Sequence, residues 1–172
     1  MNRLYLFFIL ICLVFVACTN KPDTKSKEAS TTNNIKPKQN ETEIKWLGIE
    51  ALEESVKKAP KDILIMVYAT WCEESKKYHN TTYKNADIIS YLNKNYYTAL
   101  VNAEEENTIN FRGKQYAIHP NTGHNEIVYE LQARSIPSLV FLDKDFNIQG
   151  HKNGFTDVAL LDELLFQYKN NY

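Results

Sequence analysis

Charge of one sign is not in excess: twenty Lys and Arg stand against twenty-one Asp and Glu, a formal net charge of −1. Without a basic surplus there is no electrostatic footprint for nucleic acid, and no such partner is expected. Glycine and proline are scarce, five of each in 172 residues, which excludes collagen-like and low-complexity architectures. Three cysteines are too few for a disulfide scaffold. The longest apolar run, Leu4 to Ala17, is fourteen residues, short of the roughly 20 that a membrane-spanning helix needs. His119, His124 and His151 follow no zinc spacing, so neither a metal nor a cofactor is expected. What is present, 44% apolar and 24% charged residues, is the composition of one globular domain.

Arg3 followed by the uncharged run to Ala17 has the length and polarity of a secretory signal. Phe15-Val16-Ala17-Cys18 resembles the bacterial lipobox, in which small residues precede a cysteine that is lipidated after cleavage. That resemblance implies a signal peptide over residues 1–17 and an acylated Cys18 holding the protein to a membrane of the cell envelope, facing the periplasm. Cys12 then leaves with the signal, and Cys72 is the single free thiol in a compartment where disulfides persist. Residues 18–42 hold only Ala29 and Ile35 as apolar residues beyond the lipidation site, and they read as a disordered tether.

The folded part is placed at residues 43–172. Ile44, Leu47, Ala51, Leu52 and Val56 recur at helical spacing and predict an amphipathic helix over 43–58, with Thr42 as N-cap. Ile63 to Tyr68 reads as a strand buried on both faces. A helix from about Cys72, another capped by Asn85, and a strand over 96–101 follow. Alternation around Arg112-Gly113-Lys114 predicts a β-hairpin. Residues 126–134 read as helix, 138–142 as strand with a further strand near Ile148, and a last helix is capped by Thr156. This order predicts an α/β sandwich around a mixed sheet.

Cys72 directly follows the first buried strand and opens a helix. Unsatisfied N–H groups and the helix dipole at such a position favour a thiolate, the nucleophilic form. Ser75 stands within hydrogen-bond reach on the first turn, while Glu73 and Glu74 oppose a second negative charge. His79 is too far along the helix to form a Cys–His pair and reads as a surface or partly packed histidine. Glu104-Glu105-Glu106 reads as a solvated loop.

Trp71-Cys72-x-x-Ser75-Lys76 resembles the Trp-Cys-x-x-Cys-Lys motif of the thioredoxin superfamily, with serine in place of the second cysteine. Ser135-Ile136-Pro137-Ser138 and the following strand resemble the loop carrying the cis-proline of that family. The hairpin and His119-Pro120-Asn121 are similar to a periplasmic thioredoxin-like group of Bacteroidetes-type lipoproteins. The resemblance implies a three-layer thioredoxin-like sandwich, a mixed sheet flanked by helices with a hairpin insertion. It implies Cys72 as attacking sulfur and Ser75 beside it, with Trp71, Ile136 and Pro137 forming the substrate groove. Met66 stands where many members carry a buried acid that helps the second cysteine to ionise. With no second cysteine, that acid has no task. Expected partners are exported cysteine-containing proteins and an external thiol or redox partner. Mixed-disulfide exchange, isomerisation or thiol capping is the leading function, and a non-catalytic peptide-binding lipoprotein is the alternative.

Overall fold

The structure, a computed structural model, describes residues 41–169. The expected signal segment, Cys18 and the tether as far as residue 40 lie outside the described residues. No helix among the described residues is long and apolar enough to cross a membrane.

The centre of the domain is β2 (Asp62–Tyr68), whose five inner residues are all buried. Its neighbours are β3 (Tyr96–Asn102), parallel, and β6 (Ser138–Leu142), antiparallel. With β1 (Trp46–Leu47) beside β3 and β7 (Ile148–Asn153) beside β6, the strands make one five-stranded mixed sheet in the order β1-β3-β2-β6-β7. Because side chains alternate across a strand, β2 feeds both faces. Ile63, Ile65 and Val67 enter one core with α1 (Leu52–Lys58) and α4 (Ile127–Glu130). Leu64 and Met66 enter the other with α2 (Glu73–Asn80), α3 (Ala86–Asn95) and α5 (Val158–Lys169). A separate hairpin, β4 (Ile109–Phe111) and β5 (Lys114–Tyr116), sends Ile109, Phe111 and Tyr116 into the first core. The expected sandwich with its hairpin insertion is therefore present.

Three boundaries differ from the sequence reading, each for a physical reason. The helix expected over 43–58 is a short strand, a 3-10 turn at Ile49–Ala51, and only then α1. Ile44 packs in the core of α3 and α5, whereas Ile49 and Leu52 pack in the opposite core, so one continuous amphipathic face cannot serve them. β1 is held from outside: Trp46 registers with Thr98, Thr98 Oγ1 donates to the Lys45 carbonyl at 3.0 Å, and Asn93 pairs with both Lys45 N–H and Glu43 C=O. Thr156 does not cap the last helix; Asp157 does, its Oδ1 accepting from Leu160 N–H at 2.9 Å. The segment read as helix over 126–134 winds only as far as Glu130 before Gln132 turns to φ 53. Asn85 caps α3 as expected, accepting from Asp87 and Ile88 N–H at 3.0 Å each.

Candidate functional site at the carboxyl end of β2

The loop leaving β2 turns sharply, with Cys72 N–H donating to Ala69 C=O at 3.2 Å. Cys72 is the N-cap of α2, extended at φ −77 and ψ 114, and its carbonyl accepts from Lys76 N–H. The first-turn N–H groups of α2 receive no side-chain cap, so they are directed at whatever lies in front of the helix. In front stands the loop before β6. The Ile136–Pro137 peptide is cis, Pro137 is buried, and the Cys72 thiol donates to the Ile136 carbonyl at 3.6 Å. Cys72 is a free thiol, 7% exposed, next to Trp71 at 59%. Trp71 stands open to solvent and is not a core residue. Among the described residues no acceptor takes the Ile136 N–H.

Ser75 is buried, and its Oγ has no hydrogen-bond partner among the described residues. The Ser75 hydroxyl makes no hydrogen bond to the neutral Cys72 thiol. The sulfur spends its proton on Ile136, and the serine hydroxyl remains an unused donor on the first turn of α2. Beneath it Met66 is fully buried in an apolar core. No carboxylate stands at that position.

The helix is fixed by a second loop, residues 153–157. Tyr78 donates its hydroxyl to Gly154 C=O at 3.2 Å, Glu74 accepts from Phe155 N–H at 3.3 Å, and Thr82 donates to Thr156 C=O at 2.8 Å. Lys77 lies over the Phe155 ring at 4.1 Å. Gly154 N–H in turn donates to Pro137 C=O at 2.9 Å, which closes a ring of contacts from α2 to the proline loop. Burial pushes the Tyr78 phenol up to about 12, so it stays a donor throughout the physiological range.

Behind the site His79 sits edge-on to Trp46, Tyr68 and Tyr83, with ring centroids 6.3, 6.3 and 5.7 Å away. Burial in this aromatic nest, with the Lys84 ammonium nearby, lowers its affinity for a proton. A histidine whose folded pKa lies below the unfolded value of 6.5 contributes stability that is complete above that value and is lost as pH falls below it. The expected outcome is a urea midpoint that drops between pH 7.5 and pH 5 by more in the natural protein than in His79→Phe. Parallel drops in the two proteins would contradict it.

Sequence reasoning missed Asn125, fully buried, whose Nδ2 lies 3.0 to 3.4 Å from the carbonyls of Glu105, Asn107 and Tyr116. It ties the hairpin insertion and the acidic loop to α4, and only the burial of an amide could have signalled it. Among the described residues no group of His, Cys, Asp and Glu is placed to hold a metal.

No curated protein matches the chain. Among solved structures it is similar to the DsbH oxidoreductase, with a TM-score of 0.57 at 14% identity, covering 86% of this chain and 96% of that one. It is also similar to a provisionally named disulphide-isomerase of Bacteroides thetaiotaomicron solved in solution, with a TM-score of 0.56 at 14% identity, covering 76% of this chain and 97% of that one. At such identity these likenesses concern the fold alone. A family profile described as a thioredoxin-like domain matches residues 49–169, from the 3-10 turn before α1 to the last described turn of α5. The chain belongs to the thioredoxin-like domain family.

Proposed function

We propose that the protein is a monothiol exchange protein that engages disulfides or thiols of exported proteins through Cys72. One observation carries this reading: the one free thiol among the described residues caps α2 and faces the cis-proline loop, while a buried serine without a partner there occupies the position of a second cysteine. The ionised sulfur cannot donate to Ile136, and it has the uncapped N–H groups of α2 and the idle Ser75 hydroxyl as donors in its place. It attacks one sulfur of a substrate disulfide, a Cys72–substrate disulfide forms, and the other sulfur leaves as a thiolate. The free Ile136 N–H supports holding an extended substrate strand beside Pro137. A hydroxyl does not displace sulfur at neutral pH, so Ser75 cannot release the substrate, and an external thiol or a second substrate thiol does so. The names of the two similar structures, an oxidoreductase and a disulphide-isomerase, accord with this chemistry.

Residues 1–17 are proposed as an export signal and Cys18 as the lipid attachment that keeps the domain at the envelope membrane. The non-catalytic alternative draws on the low exposure of Cys72.

The test uses the full chain with Cys12→Ser and Cys18→Ser, which leaves Cys72 as sole thiol. Incubation with a cysteine-containing peptide disulfide at pH 8 is expected to give one covalent adduct by mass spectrometry, mapped to Cys72. No adduct over hours would leave only the binding-module reading.

A further inference from the structure

The segment after α4 and the strand β7 flank an open polar hollow of about 260 Å³, lined by His151 and by the exposed Gln132, Arg134 and Asn153. No carboxylate is among these four residues, and the Arg134 guanidinium is charged at every working pH. Among the described residues it has neither an ion pair nor a hydrogen bond of its own. His151 is oriented by its Nε2, 3.0 Å from the Leu131 carbonyl. A carbonyl only accepts, so Nε2 carries the proton and donates. Gln132 occupies φ 53 at the end of α4, where Ala133 N–H returns to Val128 C=O at 3.0 Å. This is a helix stop at which glycine is unstrained, and glycine there would delete the amide from the cavity wall.

The cavity adjoins the proline loop. Arg134 precedes Ile136 by two residues, which limits their Cα separation to about 7.6 Å. The Asn153 amide lies 2.8 Å from the Ser138 hydroxyl, and Gly154 N–H holds Pro137 C=O. Ile136 C=O is the partner of the Cys72 thiol. A hollow with no carboxylate in its lining thus adjoins the loop whose Ile136 carbonyl takes the Cys72 proton.

We infer that this cavity is an anion subsite that seats a carboxylate of the disulfide on which Cys72 acts. The inference rests on the exchange reading above. A carboxylate accepts from the guanidinium in a two-pronged pair and from the Gln132 amide, which brings the attached disulfide toward Cys72. In the exchange the Cys72 sulfur bonds to the carboxylate-bearing half and the old S–S bond breaks. The other half leaves as a thiolate and takes up the proton that Cys72 gave up. No outside oxidant or reductant is involved. The carboxylate belongs either to a small thiol acid or to an acidic side chain near a substrate cysteine.

The experiment compares two disulfides of equal arm length, anionic 3,3′-dithiodipropionate and its neutral diamide, 3,3′-dithiodipropionamide. Both react with the full chain carrying Cys12→Ser and Cys18→Ser, each rate being taken relative to that with 2-mercaptoethanol. At low salt the dianion is expected to react about tenfold faster, at the low end of electrostatic enhancement at a charged cleft. The preference should fall to about one in Arg134→Gln and persist in part in Arg134→Lys. Equal rates in the unsubstituted protein, or a preference that survives Arg134→Gln, would overturn the subsite. Mixed-disulfide peptides with Glu or Gln beside the cysteine assign the source. A preference for Glu lost in Arg134→Gln marks a protein carboxylate, and a preference confined to the small dianion marks a thiol acid. Calorimetric titration of the Cys72→Ser protein with 3,3′-dithiodipropionate reads the seat without the chemistry. Binding there that Arg134→Gln removes sustains the subsite even if neither disulfide reacts, in which case only the exchange reading falls; no binding and no reaction overturn both.

Discussion

Ser75→Cys is expected to give a protein that releases a disulfide-linked substrate unaided. Position 75 lies on the first turn of the helix that Cys72 caps, and it is buried. A sulfur there attacks the Cys72–substrate bond within one molecule, and well-placed intramolecular groups outpace external reagents at millimolar concentration by large factors. Release should therefore quicken by about a hundredfold or more. The measurable consequence is insulin reduction driven by dithiothreitol, at background with the natural serine and clearly above it in the variant. Met66 leaves no buried carboxylate to take the new thiol's proton, so the gain should be greater at pH 8.5 than at pH 7. The substitution also removes a buried hydroxyl that has no partner, and folding stability should be unchanged or slightly higher. A variant that folds yet shows neither a disulfide between Cys72 and the introduced thiol nor reductase activity would mean that the helix does not direct position 75 toward the sulfur.

Cys72→Ala is the complementary case. With Cys12 and Cys18 also replaced, it removes every thiol, and adduct formation with a peptide disulfide should fall below detection. The cost in stability should be small. Alanine keeps the Cβ, and the lost S–H···O contact to Ile136, at 3.6 Å, is long; about 1 kcal/mol is the expected scale for one such bond. A protein that unfolds outright would show Cys72 to be a packing residue. A folded protein that binds reduced peptide as tightly as before would support a groove at Ile136 and Pro137 that works without chemistry. The same variant is therefore the control for every exchange assay and a direct assay of the alternative reading.

The sheet and the site were legible to different depths, and the reason is locality. The unbroken apolar run of β2, the Asn85 cap and the Arg112-Gly113 turn each act over a few neighbouring residues, and each stands where the sequence placed it. The juxtaposition of Cys72 with the Ile136–Pro137 loop was available only through family resemblance, because 64 residues separate the sulfur from its acceptor. Residues 43–51 misled because Ile44 and Leu52 sit at a spacing a helix would also use. What decides between strand and helix there is pairing with Thr98 and Ala99, half a domain away in sequence. The partner of the Ser75 hydroxyl depends on a side-chain rotation that no spacing encodes. The cavity of Arg134 and His151 was invisible for the same reason as β1: it exists only once β7 pairs with β6 and brings His151 under the end of α4.

The ring of contacts around α2 also bears on how the site behaves in use. Tyr78 and Glu74 of the helix, and Thr82 just past its end, bond to residues 154–156, and Gly154 ties that loop to Pro137. The sulfur and the proline loop are thereby held in one frame, and pre-organised geometry of this kind would lower the ordering cost of the peptide binding proposed above.

The most direct test of the account is the lifetime of the Cys72–peptide disulfide once excess reagent is removed. With Cys72 as sole thiol at neutral pH, the adduct should persist for hours and disappear within minutes of adding millimolar free thiol. Rapid spontaneous release in the absence of any added thiol would contradict the claim that Cys72 works alone, since the chain itself would then contain the group that resolves it.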